Sequence, residues 1–144
     1  MKTVWGLDQY VVPLVAHLVG LPAERFGNIR ALAFVEGDMI VGGVLFSNWS
    51  PETGTIEITA ASTSRKWMTR SVLRTIAEYG FNACKCQALV ARTTECNRAD
   101  RIWRALGSEE VSVPHGRGRG KPELVFILTD DAWANSRFMR QTHG

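Results

Sequence analysis

An α+β fold built around one mixed sheet is predicted by three features of this 144-residue chain. Strand-like runs outnumber helical ones, and the helices are few and grouped in the second half, unlike a doubly wound alternation. Two apolar runs on either side of Glu36-Gly37-Asp38 form a hairpin. A helical segment between two later strands implies a parallel crossover, and strands that part at one end of such a pair can admit a ligand.

From Asp8 to Leu18 the apolar residues fall at near-helical spacing, with Asp8 as a cap and Pro13 inside the segment. Ile29 to Val35 and Met39 to Ser47 are the hairpin strands, and Gly42-Gly43 marks a bulge or a close backbone approach. "SPETG" turns the chain into "TIEITAAS", where Thr55, Glu57 and Thr59 alternate with Ile56, Ile58 and Ala60, so one face is polar. Arg65 to Phe81 reads as an amphipathic helix. Met68, Val72, Leu73, Ile76 and Ala77 share one face, Lys66, Arg70 and Arg74 form a basic stripe, and Gly80 provides a stop.

"CQALVART" is a short buried strand, with Cys84 and Cys86 on one strand face. "NRADRIWRALG" is a helix with Ala99, Ile102, Trp103 and Leu106 inward and Gly107 as its C-terminal cap. Glu109 to Pro114 and Glu123 to Thr129 are the last strands, joined by the loop "HGRGRGK", where His115 is exposed.

Composition bounds the function. With 45% hydrophobic and 22% charged residues the chain is globular, and residues 1–144 are read as a single domain. A formal charge of +3 suits an anionic ligand without establishing one. Three cysteines without zinc-type spacing point to a reducing, cytoplasmic setting and no metal. The apolar run "YVVPLVAHLVGL" is too short and too interrupted to cross a bilayer, so no membrane association is expected.

The chemistry concentrates in "ITAASTSRKWMTR", Ile58 to Arg70, where a strand passes through hydroxyl residues into a basic helix start. A helix start offers free N–H groups and positive potential, the elements of a phosphate site. Ser62, Thr63 and Ser64 add hydroxyls and Arg65, Lys66 and Arg70 add charge, while Trp67 and Thr69 stand where glycine is expected. A solvated basic face is the plainer reading of such a stripe, and the strand-to-helix context favours the phosphate site.

This element order, with "NRADRIWRALG" after the crossover strand, resembles the GNAT N-acetyltransferase superfamily over about Ile29 to Thr129, and most closely its small, divergent phage- and prophage-encoded forms. The resemblance implies a largely antiparallel sheet with a V-shaped splay, helices on both faces, and acetyl-CoA as the cofactor. It places Ser64 at the family's Gln/Arg position and Trp67 and Thr69 at its two glycines, and Ser108 replaces the aromatic of a common "LGF" ending. Ile58 and Ala60 would lie along the cofactor, with a backbone N–H between them polarising the thioester carbonyl. Ser62, Ser64, Arg65, Lys66, Thr69 and Arg70 would hold its phosphates, and Trp67 would cover the cofactor if turned outward or belong to the core if turned inward. Asn97 stands near a cofactor-contacting Asn of the family, or is simply a helix cap. Trp103 takes the position of the family's acid Tyr, although its spacing with Ala99 and Leu106 also suits core.

Glu57, on the polar strand face, is the candidate general base, acting directly or through a water; the alternative is that it faces solvent or pairs with an arginine. An indole N–H cannot replace the acid, and Tyr79 lies late in the central helix. The leading reading is therefore an acetyl-CoA-dependent N-acyltransferase acting on a small-molecule or protein amine, as monomer or homodimer. Its rivals are a catalytically weak or inactive GNAT-like protein with a binding or virion-associated role, and a nucleic-acid-modifying protein using Arg117, Arg119 and Lys121, the latter not favoured.

Overall fold

A computed structural model describes residues 1–94 and 99–140. Seven strands form one sheet in the order β1-β2-β3-β4-β5-β7-β6: β1 (Lys2–Trp5), β2 (Ile29–Glu36), β3 (Met39–Ser50), β4 (Thr55–Ser62), β5 (Ala88–Thr94), β6 (Glu109–Val113) and β7 (Glu123–Thr129). Every neighbouring pair is antiparallel except β4–β5, which is the expected parallel crossover. The helices are α1 (Asp8–Val19), α2 (Arg70–Ala77), α3 (Ala99–Ala105), α4 (Asp130–Asn135) and α5 (Arg137–Arg140), with a 3₁₀ turn at Ala23–Phe26.

Two cores lie on opposite faces of the sheet because the strands alternate. Ala31, Ala33 and Leu45 face α1 through Val11, Val15 and Ala16, with Phe26 beside them. Leu32, Phe34, Val44, Phe46, Ile56 and Ile58 face the other way, onto α2, α3 and α4. Pro13 is tolerated in α1 because it sits on the exposed side, where the carbonyl it cannot pair is left to water. Asp8 is the first helical residue rather than the cap, which falls at Leu7.

The hairpin forms as expected, and its glycines mark close approach. A Cβ on Gly43 would overlap Val11 and stand 2.5 Å from the Leu32 carbonyl oxygen, while one on Gly42 would stand 2.5 Å from Ser62 Cα. The bulge falls opposite them, between Phe34 and Val35.

Three readings of the sequence are corrected. The central helix begins at Arg70, not Arg65: Thr69 is extended (φ −85°, ψ 166°) and its hydroxyl accepts from Val72 N–H at 3.2 Å, so residues 63–69 are loop. Gly80 does not stop the helix. The chain continues as a π-helical turn, Glu78–Ala83, in which Gly80 is buried so close to Leu89 that a Cβ there would overlap it. Cys84 and Cys86 precede β5 rather than sharing a strand face, and Cys86 is the buried one.

The architecture places the site. The β4–β5 ladder runs only from Thr55↔Ala88 to Ile58↔Ala91, although β4 continues to Ser62 and β5 to Thr94. Beyond Ile58 the two strands part. The splay opens a cleft in the middle of the sheet.

Candidate active site

The cleft holds about 580 Å³ and is walled by the parted strands, the end of α1 with its following turn, and α3. Glu57, Ile58, Ala60, Ser62, Trp67 and Trp103 all line it, so the fold gathers six of the expected site residues. Since β4 beyond Ile58 has no β5 partner, backbone groups of Thr59–Ser62 on that side are left for a ligand.

Glu57 is held by two donors. Asn48 Nδ2 donates to Oε2 at 2.8 Å and Arg92 Nη2 to Oε1 at 3.4 Å. The pairing with an arginine weighed as its alternative is thus present, yet Glu57 also lines the cleft, with its side chain 30% exposed. A carboxylate has about four lone-pair directions, so two donors leave room for a water or an amine.

Arg92 extends this contact into a chain. Its Nη1 donates to Glu123 Oε1 at 3.0 Å, and Arg117 Nη1 stands 3.7 Å from Glu123 Oε2. Arg117 Nη2 donates to the Val19 carbonyl at 2.8 Å, tying the β6–β7 loop to the end of α1. Glu123 is only 5% exposed, and its Oε2 accepts no hydrogen bond among the described residues. A buried carboxylate requires counter-charge, which the two guanidinium groups supply. Arg92, Glu123 and Arg25, which all line the cleft, are not among the residues expected from the sequence. The available signals were a charge inside the apolar run Val90-Ala91-Arg92 and another opening the apolar strand Glu123–Thr129.

The hydroxyl-rich loop works differently from expectation. Ser62 Oγ donates to the Val41 carbonyl at 2.9 Å and accepts from Ser64 N–H at 3.0 Å, and Thr63 N–H also reaches Val41 at 2.8 Å. These groups shape the loop. Arg65, Lys66 and Arg70 remain exposed, with no acidic partner among the described residues, and the Arg70 and Ser71 N–H groups have no intrahelical acceptor. Ser64, Arg65, Lys66, Thr69 and Arg70 lie beside the cleft rather than on its wall. Arg70 also packs over Phe138, 5.7 Å from the ring centroid.

Trp67 is half-buried: its ring lies 5.5 Å from that of Phe34 and its remaining surface lines the cleft. Trp103, 3% exposed, is core that contributes one patch of wall. Ser108, at the position where the GNAT resemblance has an aromatic, has a buried hydroxyl with no hydrogen-bond partner among the described residues. Tyr79 is outside the cleft, packed against Trp5 and Phe46 at 5.0 and 4.5 Å. Burial, with help from Cys84 and against Arg30, holds its phenol above the usual 10.0. Asn97 lies outside the described residues. His115 is exposed, as expected, and accepts from Gly120 N–H through Nδ1.

A seven-stranded sheet with a single parallel pair that splays over an anion-suited helix start defines the GNAT type of fold. The sequence matches no protein-family model, and no curated protein is similar to it by sequence. Solved structures are similar. The dodecameric spermidine N-acetyltransferase from Vibrio cholerae superposes with a TM-score of 0.70 at 12% identity, over 93% of this chain and 96% of that one. The same enzyme in complex with CoA and spermine gives 0.64 at 13% identity, over 76% and 70%. A structure described as a probable acetyltransferase gives 0.62 at 15%, over 74% of this chain and 64% of its own, so this chain spans less than two thirds of that protein. At such identities the likeness is one of fold: the chain has the acetyltransferase fold in divergent form. Among the described residues no helix is long and apolar enough to cross a membrane.

Proposed function

We propose that the protein is an acetyl-CoA-dependent N-acyltransferase of the small phage or prophage kind, acting on an amine as a monomer or homodimer in the cytoplasm. The observation that carries this reading is the cleft between β4 and β5, which combines an unpaired strand edge, a carboxylate and an adjacent basic loop. A spermidine N-acetyltransferase of the same fold has been solved with CoA and spermine.

Arg65, Lys66 and Arg70, with the Arg70 and Ser71 N–H groups, would hold the pyrophosphate, and Ile58 to Ser62 would pair with the pantetheine arm. The bound cofactor supplies an acetyl thioester. Trp67 covers this stretch from one side and keeps water from it. Glu57 takes the proton of the attacking amine, directly or through one water, while Arg92 and Asn48 fix its orientation. A backbone N–H between Ile58 and Ala60 stabilises charge on the carbonyl oxygen.

No Tyr, Cys or His lies among the described residues that line the cleft. With the described residues alone the thiolate would leave without a protein acid, which an ordinary thiol pKa of about 8.5 permits at reduced efficiency. That gap is the one observation favouring a weak or binding-only role. Calorimetry with acetyl-CoA, followed by thiol release with amines, separates the readings: binding with turnover supports the first, binding without turnover supports a weak or inactive relative, and no binding overturns the acyltransferase reading while leaving a role that needs no cofactor. The nucleic-acid reading is disfavoured because Arg117, 14% exposed, is turned inward onto Val19 and Glu123.

A further inference from the structure

Among the described residues, five charged side chains line the cleft: Arg25, Glu57, Arg92, Arg117 and Glu123. Four of them form a chain of alternating sign, Glu57–Arg92–Glu123–Arg117. Both carboxylates are thus already engaged by guanidinium groups. Arg25 stands apart: among the described residues no hydrogen bond or ion pair engages its side chain.

Strand register shows which end of β4 the Arg25 turn joins. Ile29 pairs with Ser47, and Ser47 pairs with Glu57, so the turn that carries Arg25 joins the sheet at the Glu57 end of β4. The basic loop leaves β4 at Ser62, five residues further, or roughly 17 Å at about 3.4 Å per residue. Arg25 therefore belongs to the acceptor end, not to the phosphates. An unpaired cation beside the apolar Leu18, Leu21 and Phe26 repels a polyamine, whose charges are all positive, and attracts an anion.

Resting on the acyltransferase reading of the same cleft, we propose that the acceptor is a small amine that also carries a carboxylate, of the amino-acid type. Its carboxylate sits on Arg25 and its amine points at the spare lone pairs of Glu57. The apolar wall favours an apolar side chain. The amine nitrogen bonds to the acetyl carbon, the carbon–sulfur bond breaks, and the proton lost from nitrogen passes through Glu57 while sulfur leaves as thiolate.

The test compares leucine and phenylalanine with 3-methylbutylamine and phenethylamine, the same amines without the carboxylate, and with spermine, by thiol release from acetyl-CoA. The amino acids should be used with at least tenfold higher kcat/KM. Arg25→Gln should remove that preference chiefly through KM, by about tenfold or more for one lost charge-assisted contact, while the acetyl-CoA-induced rise in melting temperature is retained. N-acetyl-leucine should bind by calorimetry and lose affinity in the same variant. Equal or better use of the carboxylate-free amines or spermine overturns the assignment. So does cofactor binding with neither amino-acid turnover nor N-acetyl-leucine binding. Absence of any acetyl-CoA-induced shift instead removes the acyltransferase reading itself.

Discussion

Glu57→Gln separates a catalytic from a structural carboxylate because the two roles differ in magnitude. The ion pair with Arg92 spans side chains 30% and 40% exposed, and pairs of that kind contribute at most about 1 kcal/mol to stability. Glutamine keeps the volume but not the acceptors. Asn48 donates to one oxygen and Arg92 to the other, so the new amide NH₂ must face a donor whichever way it turns. One hydrogen bond is lost, and melting should fall by about 2–4 °C for each kcal/mol at this size. A general base, in contrast, is worth about 10²- to 10⁴-fold in rate. The expected result is a kcat reduced at least about 100-fold and acetyl-CoA affinity unchanged within about threefold. Acetylation kinetics, calorimetry with acetyl-CoA and melting curves on the same samples measure rate, affinity and stability. A kcat within about threefold of wild type, with melting lowered as described, would refute the base and leave Glu57 as a counter-ion for Arg92.

Arg70→Glu should weaken CoA binding by at least about tenfold in calorimetry, since a charge-assisted contact is replaced by repulsion at a helix start. Gly43→Ala should cost about 1–3 kcal/mol in chemical denaturation, because the added methyl meets the Leu32 carbonyl as well as a side chain, and backbone cannot step aside. Stability should be full below pH 9.0 and decline above it, because burial raises the Cys86 thiol from 9.0 in the folded chain while the unfolded chain ionises at the ordinary value; Cys86→Ala should flatten the onset of that decline in denaturation series. Replacing Trp67 and Thr69 together with glycine should lower stability by about 2–3 kcal/mol, from the ring lost beside Phe34 and the cap lost at Val72, without increasing the acetyl-CoA-induced thermal shift.

What sequence made legible was local. The hairpin, the polar face of β4 and the crossover follow from alternation and turn chemistry over a few residues. The close approach at Gly42-Gly43 was legible because only a missing side chain explains paired glycines inside an apolar strand. Gly80 was misread because a glycine near a helix end has two physical causes, termination or packing, and Leu89 decides between them from another element. Lys2–Trp5 escaped notice because four residues carry too little pattern. Asp130–Asn135 starts where β7 ends, with the strand's last Thr129 serving as cap. The charged chain from Glu57 to Arg117 joins residues 35, 31 and 6 positions apart. Only the register of β4, β5 and β7 brings them together, so Glu57 was identifiable as a candidate while its partners were not.

On the proposed function, the displaced helix start would let a loop without glycine serve a phosphate. Glycine is needed where side chains of a helical first turn would crowd the ligand. Here Trp67 and Thr69 precede the first turn: Thr69 is extended and spends its hydroxyl on Val72, and Trp67 turns its ring onto Phe34. The first turn proper begins at Arg70-Ser71, whose N–H groups stand beside an exposed guanidinium. Charge from Arg65, Lys66 and Arg70 would then supply what a close-fitting glycine loop obtains from backbone alone. Such a site depends on long-range attraction more than on close fit. Its CoA affinity should therefore fall more steeply with ionic strength than that of a glycine-lined loop, and calorimetry between about 50 and 500 mM salt would expose the difference. A salt-insensitive affinity would mean that backbone N–H groups, not these side chains, hold the phosphates.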